Sequence, residues 1–189
     1  MVFAGDGRQV LTEIDGNAIT WEIATGVEVH RIEGGVKGGV CALSRAGDFI
    51  ATGGSIHNDV TIWDAVSSGA ERPLVGHTKG ILAVAISPDG HTTASGAYDA
   101  TVRLWNSQTL APQKVLEFSD LNYAYALVFS NSGKMLATGG DGVRIWDPVT
   151  GVQQQLFASK ETSSVAFSPD DHVLAATSSQ GTLTVWRLL

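Results

Sequence analysis

Three residue types that together perform nucleophilic hydrolysis lie close together in this sequence: His77, Ser95 and Asp99. Acyl transfer by such a set needs a serine exposed on a sharp turn, with N–H donors beside it to bind the oxyanion. Ser95 instead lies within the predicted strand Thr92 to Gly96, among small residues, and no strand-to-helix turn surrounds it. We therefore predict a structural role for these side chains and no catalytic triad.

Metal and cofactor chemistry has little support in the sequence. The five histidines are scattered, Cys41 is the only cysteine, and neither H-x-x-x-H nor C-x-x-C spacing occurs. Zinc sites are usually built from such closely spaced ligands. The glycine-rich segments 34–39 and 139–142 lack the Gly-Lys-Ser/Thr ending and the following helix that phosphate binding requires. We expect no metal and no cofactor.

Five tryptophans recur at intervals of 42, 42, 41 and 40 residues. The elements that contain them must position His77, Ser95 and Asp99. This period is far longer than a heptad and predicts one repeated supersecondary unit. Each tryptophan closes a short β-branched or aliphatic run bounded mainly by Asp, Asn or Gly, which is typical of a strand. The repeats end near Trp21, Trp63, Trp105, Trp146 and Trp186.

Each repeat is predicted to contain four strands. In the third copy the apolar run Ile81 to Ile86 leads into Ser87-Pro-Asp-Gly90, where proline and glycine suit the second and fourth positions of a type I turn. A second strand begins at Thr92, the tryptophan strand follows, and a weaker apolar stretch ends the repeat. Four short strands about every forty residues predict an all-β propeller of four-stranded antiparallel blades.

The third copy also carries motifs of a known family. Gly76-His77, Ser87-Pro-Asp-Gly90, Asp99 and the segment Val102 to Asn106 together resemble one full repeat of the WD-repeat β-propeller family. The Trp-Asp dipeptide itself occurs at Trp63 and at Trp146. The resemblance covers essentially the whole chain, residues 1–189, as a single array, and it implies a rigid platform for protein partners.

The resemblance implies a buried hydrogen-bond network within a blade, to which the third copy would contribute His77, Ser95, Asp99 and Trp105. Only this copy has all four residue types, so we expect the third blade to be the best ordered. The other copies keep parts of the set, namely Thr12 with Asp15, Thr52 with His57 or Asp59, Thr138 with Asp141, and Thr177 with Gln180.

In the family that the chain resembles, partners usually dock where the outer strand of one blade passes to the next blade. Ala124 corresponds to the apolar Ile81, so strand alternation directs the two tyrosines beside Ala124 toward this rim. Tyrosine is a favoured interface residue, but packing around the pore mouth is an equally open alternative. The candidate partner-binding residues are Lys37, Lys79, Leu82, Tyr98, Tyr123 and Tyr125.

Composition favours an ordered interaction module. Hydrophobic residues make up 43% of the chain and charged residues 16%. A net charge of −7 without a Lys/Arg cluster disfavours binding to nucleic acid or to an anionic membrane surface. A single cysteine and the lack of a secretory leader or of any span near ~20 apolar residues predict a cytoplasmic location.

We predict a non-catalytic scaffold that presents loop residues of the propeller top face to protein or peptide partners. Two alternatives stay open: the sensory or scaffolding end of a larger signalling protein, and a propeller enzyme acting at the central pore. The latter would need convergent acids, a metal cluster or a nucleophile on the inner strands, which offer mainly Gly, Ala, Val, Leu and Ser.

The two ends of the array differ from its middle. The sequence stops soon after Trp186, and Met1 stands two residues before Phe3, so the first and last of about five blades are expected to be incomplete. An incomplete ring exposes apolar blade faces. Three explanations stay open: the chain is the C-terminal part of a longer propeller, self-association or another chain completes the ring, or five blades close on themselves.

Overall fold

The computed structural model describes residues 2–4, 7–34, 39–65, 71–118, 123–159 and 161–188. These residues form nineteen strands and no helix, so none of them belongs to a helix that could cross a membrane. The strands make five antiparallel sheets, each built from strands that are consecutive in the chain. The predicted all-β architecture is thereby confirmed.

The strand bounds follow the tryptophan period. Sheets 1 and 2 contain β1 (Val2–Phe3), β2 (Gln9–Ile14), β3 (Asn17–Glu22) and β4 (Glu28–Ile32), then β5 (Gly39–Leu43), β6 (Phe49–Gly54), β7 (His57–Asp64) and β8 (Arg72–Leu74). Sheets 3 and 4 contain β9 (Ile81–Ile86), β10 (Thr92–Ala97), β11 (Thr101–Asn106) and β12 (Pro112–Glu117), then β13 (Ala126–Phe129), β14 (Leu136–Gly140), β15 (Gly142–Trp146) and β16 (Gln153–Phe157). Sheet 5 contains β17 (Thr162–Phe167), β18 (Val173–Ser178) and β19 (Leu183–Arg187). As expected, the first and last sheets are incomplete over the described residues: β1 has two residues, and sheet 5 has three strands.

Residues on the inner strands of all five sheets line one open channel with a volume of about 550 Å³. Inner strands of successive sheets contact one another in chain order, from β1 to β5, β9, β13 and β17. Every sheet contributes to the channel wall, for example through Phe3, Cys41, Val84, Leu127 and Val165. The sheets are therefore arranged around a common axis, as propeller blades are.

A recurring serine closes the turn between the inner strand and the second strand. In sheet 3, Ser87 Oγ accepts a hydrogen bond from the Thr92 backbone N–H (2.9 Å) and donates one to Asp89 (2.5 Å). The Gly90 N–H donates to the Ser87 carbonyl (2.9 Å), with Gly90 at a φ of 74°. The turn predicted from this sequence is thus present, and Ser44, Ser130 and Ser168 accept the corresponding bond in sheets 2, 4 and 5.

Each tryptophan after the first packs against the sheet that precedes its own. Trp63 lies in one apolar cluster with Leu11 and Ile32 of sheet 1. The same arrangement recurs along the array: Trp105 packs with Ile62 and Leu74, Trp146 with Leu104 and Leu116, and Trp186 with Val143 and Ile145. The hydrophobic core therefore consists of four similar layers between sheets, and burying such layers is the main favourable term in folding.

The face of sheet 5 that points away from sheet 4 is apolar and exposed. Leu183 and Val185 are 65% and 56% exposed. The residues at the same distances before the tryptophans of sheets 2, 3 and 4 are at most 1% exposed: Val60, Ile62, Val102, Leu104, Val143 and Ile145. At the other end of the array Val10 is half-buried, whereas the residues equivalent to it are fully buried: Ile50, Thr93, Leu136 and Leu174. Each end of the array thus leaves one sheet face uncovered by the described residues.

Candidate partner-binding surface

A buried chain of hydrogen bonds joins two strands of sheet 3 to the loops beside them. The Trp105 indole N–H donates to Ser95 Oγ (2.9 Å), and Ser95 Oγ lies 2.8 Å from His77 Nε2. His77 Nδ1 in turn lies 2.8 Å from Asp99 Oδ2. A neutral His77 imidazole that donates from Nδ1 and accepts at Nε2 gives each side-chain polar group in this series of hydrogen bonds a partner. The structure thus brings the four residues of the predicted network together.

Opposing influences set the charge states of this network. Burial lowers the pKa of His77, against the raising effect of its hydrogen bond and proximity to Asp99. For Asp99, burial raises the pKa, but hydrogen bonds from Thr101, the Thr78 backbone N–H and His77 outweigh it and leave the pKa lowered. Around neutral pH the pair is therefore a neutral imidazole beside a carboxylate.

The geometry of the three residue types fits a structural network and not hydrolysis. Ser95 is completely buried, and its hydroxyl oxygen is already held by the Trp105 indole and the His77 imidazole. A nucleophilic serine must instead reach a substrate carbonyl beside oxyanion donors. Nor do any three or more His, Cys, Asp or Glu side chains lie close enough to hold a metal ion, within the described ranges.

In sheets 1, 2 and 4 the described residues form the pair of tryptophan and hydroxyl. The indoles of Trp21, Trp63 and Trp146 donate to Thr12 (2.7 Å), Thr52 (2.8 Å) and Thr138 (3.0 Å), respectively. Asp15 and Asp141, which were expected to extend two of these pairs, lie exposed in the turns that follow β2 and β14. The His57 side chain lies outside the described structure.

The prediction that Thr177 supplies the hydroxyl in the fifth sheet is wrong, because the equivalent position lies one residue earlier in the chain. Ser95 pairs across strands with the residue two positions before Trp105, and the residue that pairs in this way in sheet 5 is Ala176. Successive strand residues point to opposite faces. Thr177 is consequently exposed, with its Oγ1 3.3 Å from Ser163 Oγ, while Ala176 is buried beside Trp186.

Three of the six candidate partner-binding residues form one aromatic cluster beside sheets 3 and 4. The ring centroids of Tyr98 and Tyr123 lie 5.3 Å apart, and those of Tyr123 and Tyr125 lie 6.1 Å apart, both in edge-to-face geometry. Tyr98 and Tyr125 are 36% and 46% exposed, whereas Ala124 is buried, as predicted, although residues 123–125 precede β13 and are not part of a strand. We call Tyr98, Tyr123 and Tyr125 the tyrosine rim.

Close backbone packing fixes the segment that carries two of these tyrosines. A Cβ atom at Gly96 would lie 2.7 Å from the Ala124 Cβ, and one at Gly140 would lie 2.2 Å from the Tyr123 carbonyl oxygen. The Tyr125 N–H donates to the Gly139 carbonyl (2.8 Å). The absence of side chains at these glycines therefore allows the segment to lie directly on sheets 3 and 4.

Two of the remaining candidates, Lys79 and Leu82, lie in β9 or just before it. Lys79 is exposed and directly precedes Gly80, whose carbonyl accepts a hydrogen bond from the Tyr98 N–H (3.0 Å). Leu82 is half-buried on β9 and takes no part in the ring contacts of the tyrosine rim. Lys37 lies outside the described residues.

One charged neighbour of the tyrosine rim, Glu161, is not among the residues predicted from the sequence. Burial raises the pKa of Tyr125, and the neighbouring tyrosines and the charge of Glu161 add to this effect. Glu161 is exposed and lies in the connection before β17, as Lys79 does in the connection before β9. Its register position is that of Gly80, because the Ser179 N–H donates to the Glu161 carbonyl as the Tyr98 N–H donates to that of Gly80, and this equivalence has no signal in the residue types.

The fold and the network define an array of propeller blades, since each sheet gives an inner strand to one channel and four of the five tryptophans pack on the preceding sheet. The family profile described as "WD domain, G-beta repeat" matches residues 70–106 and 152–187. These two segments contain the tryptophans of sheets 3 and 5. The chain belongs to the WD-repeat family.

Several proteins of known name are similar to this chain. "Small ribosomal subunit protein RACK1y" of Oryza sativa subsp. japonica is 32% identical over 146 residues, which are 71% of this chain and 43% of that protein. "Target of rapamycin complex subunit wat1" of Schizosaccharomyces pombe is 29% identical over 75% of this chain and 46% of its own length. "Anaphase-promoting complex subunit cdh1" of Dictyostelium discoideum is 34% identical over 46% of this chain and 12% of its own length. The chain thus spans less than half the length of each of these relatives.

Proposed function

We propose that this chain is a non-catalytic scaffold that binds protein or peptide partners through the tyrosine rim. The observation that carries the proposal is the contiguous, partly exposed cluster of Tyr98, Tyr123 and Tyr125, held in place by backbone packing on Gly96 and Gly140. Tyrosine brings a large contact area and a polar tip at a low entropic cost of ordering. A pre-positioned cluster of this kind is typical of a binding hot spot.

The names of the relatives support the same class of function. An anaphase-promoting complex subunit, a small ribosomal subunit protein and a target of rapamycin complex subunit are all components of larger assemblies. Fold alone does not determine function, so the tyrosine rim and not the propeller carries the proposal for this chain. A role as the sensory or scaffolding end of a larger signalling protein is compatible with the same surface, and the cytoplasmic location stays a prediction.

Replacing Tyr123 and Tyr125 together with alanine is expected to release the partners that the wild-type chain captures. Hot-spot truncation typically costs about 2 kcal/mol or more, which corresponds to binding weakened about thirty-fold. Quantitative affinity capture followed by mass spectrometry measures the loss. Val149→Ala is the matched control, because Val149 is 80% exposed in the turn after Trp146, away from the tyrosine rim. Retention of every partner by the double variant would rule out this surface.

We also propose that the uncovered face of sheet 5 is a packing surface for another WD-type sheet. Leu183 and Val185 occupy positions that are fully buried in sheets 2, 3 and 4, where the next tryptophan-bearing sheet covers them. Further blades of a longer propeller or a second chain could supply such a sheet, and residues 1–189 would then form one part of a complete ring. An apolar face of this kind favours association when it is left in water.

Substituting Val185 with glutamate is expected to weaken self-association of the purified chain about ten-fold while leaving its thermal unfolding almost unchanged. The reason is that Val185 is more than half exposed within the chain, so the charge acts mainly on whatever covers this face. Light scattering over a concentration series measures association. Val149→Glu is the control, because it places the same charge on a still more exposed valine elsewhere. A wild-type chain that stays monomeric at all concentrations would count against a covering second chain.

A further inference from the structure

The tyrosine rim is flanked by opposite charges at its two ends. At one end, the Tyr98 N–H donates to the carbonyl of Gly80, the residue after Lys79 (3.0 Å). At the other end, the Tyr125 N–H donates to the Gly139 carbonyl, and Thr162, the residue after Glu161, lies against the same glycine. A basic residue, three aromatic rings and an acidic residue therefore follow one another across sheets 3, 4 and 5.

Both flanking charges are available to a partner. Lys79 and Glu161 are exposed, and the salt bridges seen within the described ranges include neither of them. Glu161 accepts a hydrogen bond from the Ser179 hydroxyl, which holds its carboxylate near the start of β17. Because charges beyond about 8 Å are screened at physiological ionic strength, these local charges act on a docked segment more than the net charge of −7 does.

We propose that the tyrosine rim binds an extended peptide with a defined charge order: an acidic residue beside Lys79, apolar residues over the tyrosines, and a basic residue beside Glu161. This inference rests on the proposed function and specifies the partner of the same surface. An extended chain advances about 3.3 Å per residue, so each ring-to-ring step of 5.3 or 6.1 Å corresponds to about two peptide residues. The apolar stretch over the three rings is thus about four peptide residues long at most, and the two charges of the peptide lie on either side of it.

Selection from a library of random displayed decapeptides tests the proposal. The wild-type chain is expected to enrich peptides with an acidic residue, an apolar centre and a basic residue in one order. The double variant Lys79→Glu/Glu161→Lys reverses the two charges without changing the net charge, and it is expected to enrich the opposite order. Each exposed ion pair between the peptide and Lys79 or Glu161 contributes about two- to five-fold in affinity. Each selected peptide should therefore bind the protein that selected it about ten-fold more tightly than it binds the other.

The variant Lys134→Glu/Glu71→Lys is the control, because it swaps two exposed charges at the tryptophan ends of sheets 4 and 2, opposite the turn that carries Tyr98, with the same net change. It is expected to enrich the wild-type order.

The inference would be overturned if the wild type and the variant Lys79→Glu/Glu161→Lys selected peptides with the same charge order. It would also be overturned if the selected peptides showed no charge order. In that case, peptides that bind the wild type but not the variant Tyr123→Ala/Tyr125→Ala would leave the proposed function of the tyrosine rim standing without the charge order. Peptides that bind this variant as well as the wild type would contradict both the charge order and the proposed function.

Discussion

Replacing Ser95 with alanine is expected to lower the free energy of unfolding by about 2–4 kcal/mol, one of the largest effects of any conservative substitution in this chain. The substitution removes one oxygen atom from a fully buried site. It leaves two groups without a partner, the Trp105 indole N–H and His77 Nε2, which lie 2.9 and 2.8 Å from Ser95 Oγ. Each unsatisfied buried polar group costs about 1–3 kcal/mol.

The loss should be concentrated in sheet 3, because the network joins its second strand, its tryptophan strand and the loop that carries His77. Urea unfolding gives the total change, and amide hydrogen exchange shows where protection is lost. We expect β10 and β11 to exchange faster in the variant, whereas the amides of sheet 5 change little. In the wild type, sheet 3 should be better protected than sheet 5.

Thr177→Ala is the matched control for Ser95→Ala. Both substitutions delete a hydroxyl from the second strand of a sheet, but Thr177 is exposed on the opposite face and does not contact a tryptophan indole. We expect its removal to change stability by less than about 0.5 kcal/mol. Equal losses from the two substitutions would show that the buried network does not stabilise the third sheet.

The fold could be predicted from the sequence because its evidence is periodic. Five tryptophans at nearly constant spacing, the last four each preceded by a serine-containing turn, indicate the repeated unit even where single copies are degenerate. The run from Ile81 to Ile86 is a strand with the predicted bounds, and the turn at Gly90 has the predicted geometry. A pattern repeated five times averages out the ambiguity that short apolar runs carry singly.

The details of the site could be predicted only where they follow from strand alternation. Alternation placed Ala124 inside and the flanking tyrosines toward the rim, but it requires a known register. In the fifth sheet the register was misjudged by one residue, so Thr177 was taken for the position that Ala176 occupies. Contacts between one sheet and the segment that leads into the next, such as Gly96 with Ala124, depend on the path of the whole chain and leave no local signal.

Replacing Gly140 with alanine is expected to destabilise the chain by about 2–3 kcal/mol and to displace the tyrosine rim. Gly140 has no positive φ, so alanine suits its backbone conformation, and without a steric conflict the substitution would stabilise by about 0.4–1 kcal/mol. The Cβ atom, however, would lie 2.2 Å from the Tyr123 carbonyl oxygen. Because this neighbour is backbone, the segment that carries Tyr123 and Tyr125 has to move.

Gly90→Ala separates this steric effect from the conformational cost of losing a glycine. Gly90 has a φ of 74°, but a Cβ there would meet nothing within 4 Å, so alanine should cost only about 1–2 kcal/mol of backbone strain. Urea unfolding compares the two variants, and affinity capture reports the tyrosine rim. We expect Gly140→Ala to lose captured partners and Gly90→Ala to keep them, because only Gly140 supports the Tyr123 backbone. A Gly140→Ala chain as stable as the wild type, with the same partners, would show that the Tyr123 segment does not pack on this glycine.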